Sequence, residues 1–217
     1  MLRHQHAIAE TILERRLICV AVIDRAQDAV PLAQALLAGG LDVIEVTFRT
    51  AAAAAAIAAI RENLPQMRVG AGTLLSAKQV LEAVDAGAQF GVSPGLSEDA
   101  LKAAENEGIP LFPGVMTPTE VDRALNLGCR HLKFFPAEAA GGTAMLKALA
   151  GPFSHTGVKF IPTGGISAAN LADYLALPQV AAVGGSYMSE RKLVADAAWQ
   201  KITALSAEAV KIAGLRR

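Results

Sequence analysis

Three features of the sequence predict an α/β fold: a closed, eight-stranded parallel (β/α)8 or TIM barrel covered by helices, in one domain spanning residues 1–217 with an N-terminal helix. Short apolar, β-rich runs alternate with helical stretches at intervals of roughly 20 residues, the length of a compact strand-plus-helix unit. The runs are too continuously apolar to have one wet face, as expected of parallel strands buried on both sides. Eight such runs can be read, the number that closes a barrel.

In chain order, the first run, Leu17 to Ile23, is followed by Asp24-Arg25-Ala26-Gln27. A dinucleotide-binding open sheet would place a glycine-rich turn there, so the doubly wound alternative is disfavoured. A helix over Ala29 to Ala38 ends at Gly39-Gly40 and leads to the second run, Val43 to Phe48. The third, Met67 to Gly70, precedes a helix over Ala77 to Ala86. The fourth, Gln89 to Ser93, and the fifth, Pro110 to Phe112, precede helices over Glu98 to Glu107 and Thr119 to Leu127. Gly87, Gly108 and Gly128 stand where these helices must close through a left-handed residue. The sixth run is His131 to Phe135 and the seventh Val158 to Ile161, with a helix over Ala168 to Leu175. The eighth, Val180 to Val183, precedes a long polar-faced helix after Glu190.

Composition excludes several classes of function. Lys plus Arg and Asp plus Glu number 20 each, so no global field favours nucleic acid or an anionic membrane, and an anionic ligand needs a local site. The Ala-rich run from Ala51 to Ile60 falls short of the roughly 18 apolar residues of a membrane span. Met1 to His6 opens onto an amphipathic pattern rather than a signal peptide. The chain reads as soluble and cytoplasmic, with Cys19 and Cys129 as reduced, buried thiols. His4, His6, His131 and His155 lack the spacing of metal ligands, so no metal site is expected.

Candidate chemistry gathers at the carboxyl ends of the predicted strands, where such a fold keeps its reactive groups. With a two-residue period, Glu45, Thr47 and Arg49 share the inward face of the second strand, while Val46 and Phe48 face the helices. An inward carboxylate and guanidinium must pair or meet a ligand; an internal Glu45–Arg49 ion pair is the structural alternative. Lys133 lies inward on the sixth strand, between His131 and Phe135. Burial disfavours the ammonium form of a lysine and exposes the neutral amine that attacks a carbonyl. A snorkelling lysine, or one paired with Glu138 or Glu45, is the alternative. Lys159 starts its strand and so belongs at the opposite rim. Gly164-Gly165 and Gly184-Gly185-Ser186 close the last two strands, the usual phosphate site of this architecture. Gly70-Ala71-Gly72-Thr73 offers close backbone approach and a hydroxyl; Ser93-Pro94-Gly95 offers a rigid wall.

Taken together, Glu45-Val46-Thr47-Phe48-Arg49-Thr50, Gly70 to Thr73, Ser93-Pro94-Gly95, Lys133-Phe134-Phe135-Pro136-Ala137-Glu138 and Pro162-Thr163-Gly164-Gly165-Ile166 resemble the 2-keto-3-deoxy-6-phosphogluconate (KDPG/KHG) aldolase family over nearly the whole chain. The resemblance implies a class I aldolase, a homotrimer that needs no cofactor and splits its small-molecule substrate into pyruvate and D-glyceraldehyde 3-phosphate. It also implies cleavage of 4-hydroxy-2-oxoglutarate to pyruvate and glyoxylate. By position, Lys133 matches the Schiff-base lysine and Glu45 the proton-transferring group. Arg49 and Thr73 match the pocket for the pyruvyl carboxylate, Gly164, Gly165, Gly185 and Ser186 the phosphate site, and Pro94, Phe135 and Thr163 the lining. The segment after the lysine favours the gluconate over the galactonate branch. Cys19 replaces a common proline and Ala140 a commonly polar residue, departures that bear on substrate preference. A phosphosugar epimerase and a non-catalytic phosphosugar-binding barrel are the rival functions.

Overall fold

The computed structural model describes residues 9–215; His4 and His6, and the start of the predicted N-terminal helix, lie outside them. Residues 9–13 are helical. The strands are β1 (Leu17–Ala21), β2 (Val43–Thr47), β3 (Arg68–Gly72), β4 (Gly91–Val92), β5 (Leu111–Phe112), β6 (Gly114–Val115), β7 (His131–Phe134), β8 (Lys159–Pro162) and β9 (Val183–Gly185). The helices are α1 (Ala29–Ala38), α2 (Ala53–Asn63), α3 (Ala77–Asp85), α4 (Glu98–Asn106), α5 (Pro118–Asn126), α6 (Gly142–Ala150), α7 (Leu171–Leu175), α8 (Arg191–Ala195) and α9 (Trp199–Ile212).

The predicted closed eight-stranded barrel is not what forms. The strands make a curled six-stranded parallel sheet, in the order β5-β4-β3-β2-β1-β9, and a separate three-stranded parallel sheet, β6-β7-β8. Pro113 marks one break: it falls between β5, which pairs with β4, and β6, which pairs with β7. Proline has no amide hydrogen to give to a ladder; the predicted fifth run, Pro110 to Phe112, holds β5, and the chain pairs again only beyond Pro113, as a further short strand that the apolar runs did not include. At the other break, only the isolated bridges Phe160 to Val180 and Thr163 to Gly184 connect the segments around β8 and β9. The long helix expected after Glu190 is also divided, with Ala197 in the left-handed region (φ 51) between α8 and α9.

Three of the helices begin at side-chain caps. Ser76 and Ser97 cap α3 and α4, accepting from the amides of Gln79 and Ala100. Thr117 and Glu120 form a reciprocal capping box at α5, with Pro118 in its first turn. Gly87, Gly108 and Gly128 do adopt positive φ where these helices end. Among the described residues no helix is long and apolar enough to cross a membrane.

The core divides into an outer and an inner part. Outward strand positions such as Val46, Val69, Leu132 and Phe134 join the helix-facing cluster. Inward positions nearer the strand starts, Ile18, Val43, Phe90, Val92, Phe112 and Ile161, form a second cluster, and Ala9, Ile12 and Leu13 of the N-terminal helical segment pack into it. The interior is therefore filled and closed at one end. Further along, the inward row of β2 turns to Glu45 and Thr47, that of β7 to Lys133, and that of β8 to Thr163 just beyond its end.

Candidate active site

A cavity of about 580 Å3 opens at the carboxyl ends of the strands. Strand periodicity carries each inward row out of the apolar cluster and into this wall. Val43 leads to Glu45, Thr47 and Arg49; Ile18 leads to Val20 and Val22; Ile161 leads to Thr163. Of the predicted site residues, Lys133, Glu45, Arg49, Thr73, Pro94, Phe135, Thr163, Gly164, Gly165 and Ser186 all line the cavity. Gly185 does not: Gly184 takes its place, and a Cβ on Gly185 would point at Met188 and Tyr187.

Lys133 and Glu45 are 5% and 2% exposed, and the Lys133 Nζ stands 3.7 Å from Glu45 Oε1. That separation is an ion-pair contact but not a hydrogen bond. Glu45 Oε1 is buried and accepts no hydrogen bond from any described residue. A buried carboxylate oxygen left in this condition is costly, and such groups mark places where a ligand proton or charge belongs. The Nζ also lies 5.1 Å from the centre of the Phe135 ring, and the chain leaves the strand through a cis Phe135–Pro136 bond.

Glu45 fits here because β3 is hollow beside it. Gly70 and Gly72 occupy successive inward positions of β3, opposite Glu45 and Thr47. A Cβ on Gly72 would lie 2.0 Å from Glu45 Oε1, and one on Gly70 would lie 2.3 Å from the Phe90 ring. The close approach expected of this glycine-rich segment is thus made by the protein's own side chains. Thr73, next along, holds φ at 58, a strained conformation for a branched residue, and faces the cavity.

The structure also decides between pairing alternatives. Glu45 meets Lys133 rather than Arg49. Arg49 is exposed at the rim, and no carboxylate of a described residue lies within ion-pair reach of it. Glu138 does not touch Lys133; it accepts from the buried Tyr174 hydroxyl. Lys159 is at the far rim, donating to the Pro178 carbonyl at 2.7 Å and lining a different cavity.

The opposite wall is made by turns. Ala137 N donates to Thr163 O at 2.8 Å and Glu138 N to Gly164 O at 3.1 Å, tying the segment after Lys133 to the Gly164-Gly165 turn. Both glycines hold positive φ, and a Cβ on Gly165 would lie 2.6 Å from that of Glu138. Ser189, Glu190 and Arg191 complete the wall from beyond β9. Strand period could not find them, because the chain returns over the cavity after its last strand. Beneath them Cys19 donates from Sγ to Ser189 Oγ at 3.2 Å, and Ser189 donates to Val20 O at 2.9 Å. Burial pushes the Cys19 thiol up to about 12, against the Ser189 contact and with help from the Glu45 charge. That thiol is not a nucleophile.

A buried amine beside a buried carboxylate, with an exposed guanidinium and glycine turns around them, can form an imine and relay protons for an anionic substrate. Comparison with known proteins agrees. Residues 8–205 match the family described as KDPG and KHG aldolase. The chain is 48% identical over 208 residues to the KHG/KDPG aldolase of Escherichia coli, an alignment covering 95% of this chain and 97% of that one. Two solved structures are similar. One is KDPG aldolase from Legionella pneumophila with pyruvate captured at low pH as a covalent carbinolamine intermediate (TM-score 0.87, 43% identity, 91% of this chain and 96% of that chain). The other is the 2-keto-3-deoxy-6-phosphogluconate aldolase of Zymomonas mobilis with 3-phosphoglycerate (TM-score 0.85, 41% identity, 98% of each chain).

Proposed function

The chain belongs to the family of KDPG and KHG aldolases, and from that premise we propose that Lys133 is its Schiff-base lysine and Glu45 its proton-transferring group. The enzyme is a class I aldolase that cleaves 2-dehydro-3-deoxy-6-phosphogluconate to pyruvate and D-glyceraldehyde 3-phosphate. The name of the Escherichia coli relative extends the reading to 4-hydroxy-2-oxoglutarate, cleaved to pyruvate and glyoxylate. The observation that carries the residue assignment is the 3.7 Å approach of the two buried groups in one cavity.

In this reading the neutral Lys133 amine attacks the C2 carbonyl carbon to give a carbinolamine. Loss of water leaves an iminium. Glu45, directly or through a water, takes the proton of the C4 hydroxyl. The C3–C4 bonding pair then moves toward the iminium, releasing the aldehyde and leaving an enamine. Protonation at C3 and hydrolysis free pyruvate and restore the amine. Arg49 and Thr73 hold the carboxylate, while Gly164, Gly165 and Ser186 hold the phosphate end and keep the scissile bond aligned. Pro94, Phe135 and Thr163 complete the lining.

Borohydride reduction in the presence of pyruvate tests the assignment. Peptide mass spectrometry is expected to find a pyruvate-sized adduct on Lys133, and an adduct elsewhere, or none, overturns it. A homotrimer is proposed on family resemblance, to be checked by light scattering of the eluting protein. A cytoplasmic site is the reading supported by two free, buried cysteines, Cys19 and Cys129.

A further inference from the structure

The cavity wall contains a second guanidinium. Arg49 stands just past the end of β2, Arg191 opens α8 beyond β9, and both line the space bordered by Gly164, Gly165 and Ser186. The Arg191 side chain is 56% exposed and rests on Asp24, its Nε donating to Asp24 Oδ2 at 3.0 Å. This contact joins the loop after β1 to the segment after β9. An ion pair so open to water contributes little to stability. A guanidinium carries five donor hydrogens in a planar fork, and two donating nitrogens here leave hydrogens for another acceptor.

We propose that Arg191 is a specificity-determining residue of this enzyme: it donates to the phosphate monoester of the substrate, while the adjacent Asp24 carboxylate offsets part of its charge. The proposal rests on the aldolase reading of the cavity given above. That substrate carries an anion at each end, a carboxylate at C1 and a phosphate at C6. The cavity presents a guanidinium in two different parts of its wall. Arg49 follows the strand that bears Glu45, and Arg191 follows the turn that bears Ser186. Planar, bidentate donation to phosphate oxygens is what arginine does better than lysine. Glu190 in the same wall and Asp24 beside the guanidinium both oppose an anion. Removing the Asp24 charge must then strengthen the phosphate contact, and removing Arg191 must weaken it.

Pyruvate release from 2-keto-3-deoxy-6-phosphogluconate and from its unphosphorylated counterpart, measured for the wild type, Arg191→Gln and Asp24→Asn, tests this. Arg191→Gln is expected to raise KM for the phosphorylated substrate about tenfold, as loss of a charged hydrogen bond would. KM for the unphosphorylated substrate and the borohydride-trapped pyruvate adduct stay unchanged. Asp24→Asn lowers KM for the phosphorylated substrate, and the gain shrinks as salt is added. An Arg191→Gln enzyme whose KM is unchanged, or rises equally for both substrates, overturns the proposal. So does an Asp24→Asn enzyme that loses phosphate discrimination as Arg191→Gln does, since the pair would then only brace the wall. A wild-type enzyme that releases pyruvate from neither substrate overturns the aldolase reading and this proposal with it.

Discussion

The two ends of the interior are built from the same strands and share almost no chemistry. At the closed end, Phe90 and Phe112 stand 6.0 Å apart, His131 meets the Phe112 ring edge-on at 6.3 Å, and Ile12 and Leu13 fill what remains. At the open end, two residues further along each strand, stand Glu45, Lys133 and Thr163. The apolar end contributes stability, each buried Phe or Ile about 1.5–3 kcal/mol. The polar end puts some of that stability at risk by keeping a carboxylate oxygen buried without a hydrogen bond. One dipeptide step therefore separates packing from chemistry, and substitutions on either side of it have separable consequences.

The sharpest way to break this division is at Glu45. Glu45→Gln removes the charge while keeping the shape that fits against Gly72. It is expected to form the pyruvate adduct on Lys133 yet lose about 10²–10⁴ in turnover, the range of a general acid–base group. Normal turnover in that variant would make Glu45 only structural and erase the contrast. At the closed end, Phe90→Ala is expected to cost about 3–5 kcal/mol in denaturant unfolding. The KM of the enzyme that remains folded should be unchanged. A large KM change would show that the two ends are mechanically coupled.

The smallest effect concerns Cys19, which sits beneath the polar wall. Its thiol is raised from 9.0 to about 12, so the folded protein keeps the proton that an unfolded thiol loses above pH 9. The unfolded state then binds fewer protons, and stability declines as pH rises through that window. Cys19→Ala should flatten this decline, measured as denaturation midpoints between pH 8 and pH 10, and native Cys19 should resist alkylation at pH 8. Rapid alkylation would place Cys19 in the solvated part of the wall.

Most of this division was legible in the order of residues because side-chain alternation is a local property of a strand. Val46 and Phe48 against Glu45 and Thr47, or Leu132 and Phe134 against Lys133, sort themselves without any knowledge of neighbours. What was not legible depends on neighbours. Whether two strands share a ladder is a matter of backbone pairing, and Pro113 interrupts it where the apolar pattern runs on. Arg49 keeps the inward period and lines the cavity, but alternation alone does not show that it stands past the end of β2 and is exposed. Gly184 and Gly185 carry no side chain to reveal which of them faces in. Arg191 belongs to a helix and reaches the cavity only through the return of the chain.

The hollow in β3 has a consequence for anyone who would redesign this protein. Replacing glycine by alanine is a standard way to stiffen an unfolded chain and raise thermal tolerance. Strand glycines such as Gly70 and Gly72 look like natural first choices, since glycine weakens a strand interior. Here each is a socket that the partner side chain already occupies, one holding an aromatic ring and the other a carboxylate. A thermostability campaign that hardened both would at one stroke unseat a residue of the closed end and a residue of the open one. These two positions should be held fixed in any library, while helix-surface sites remain free to vary.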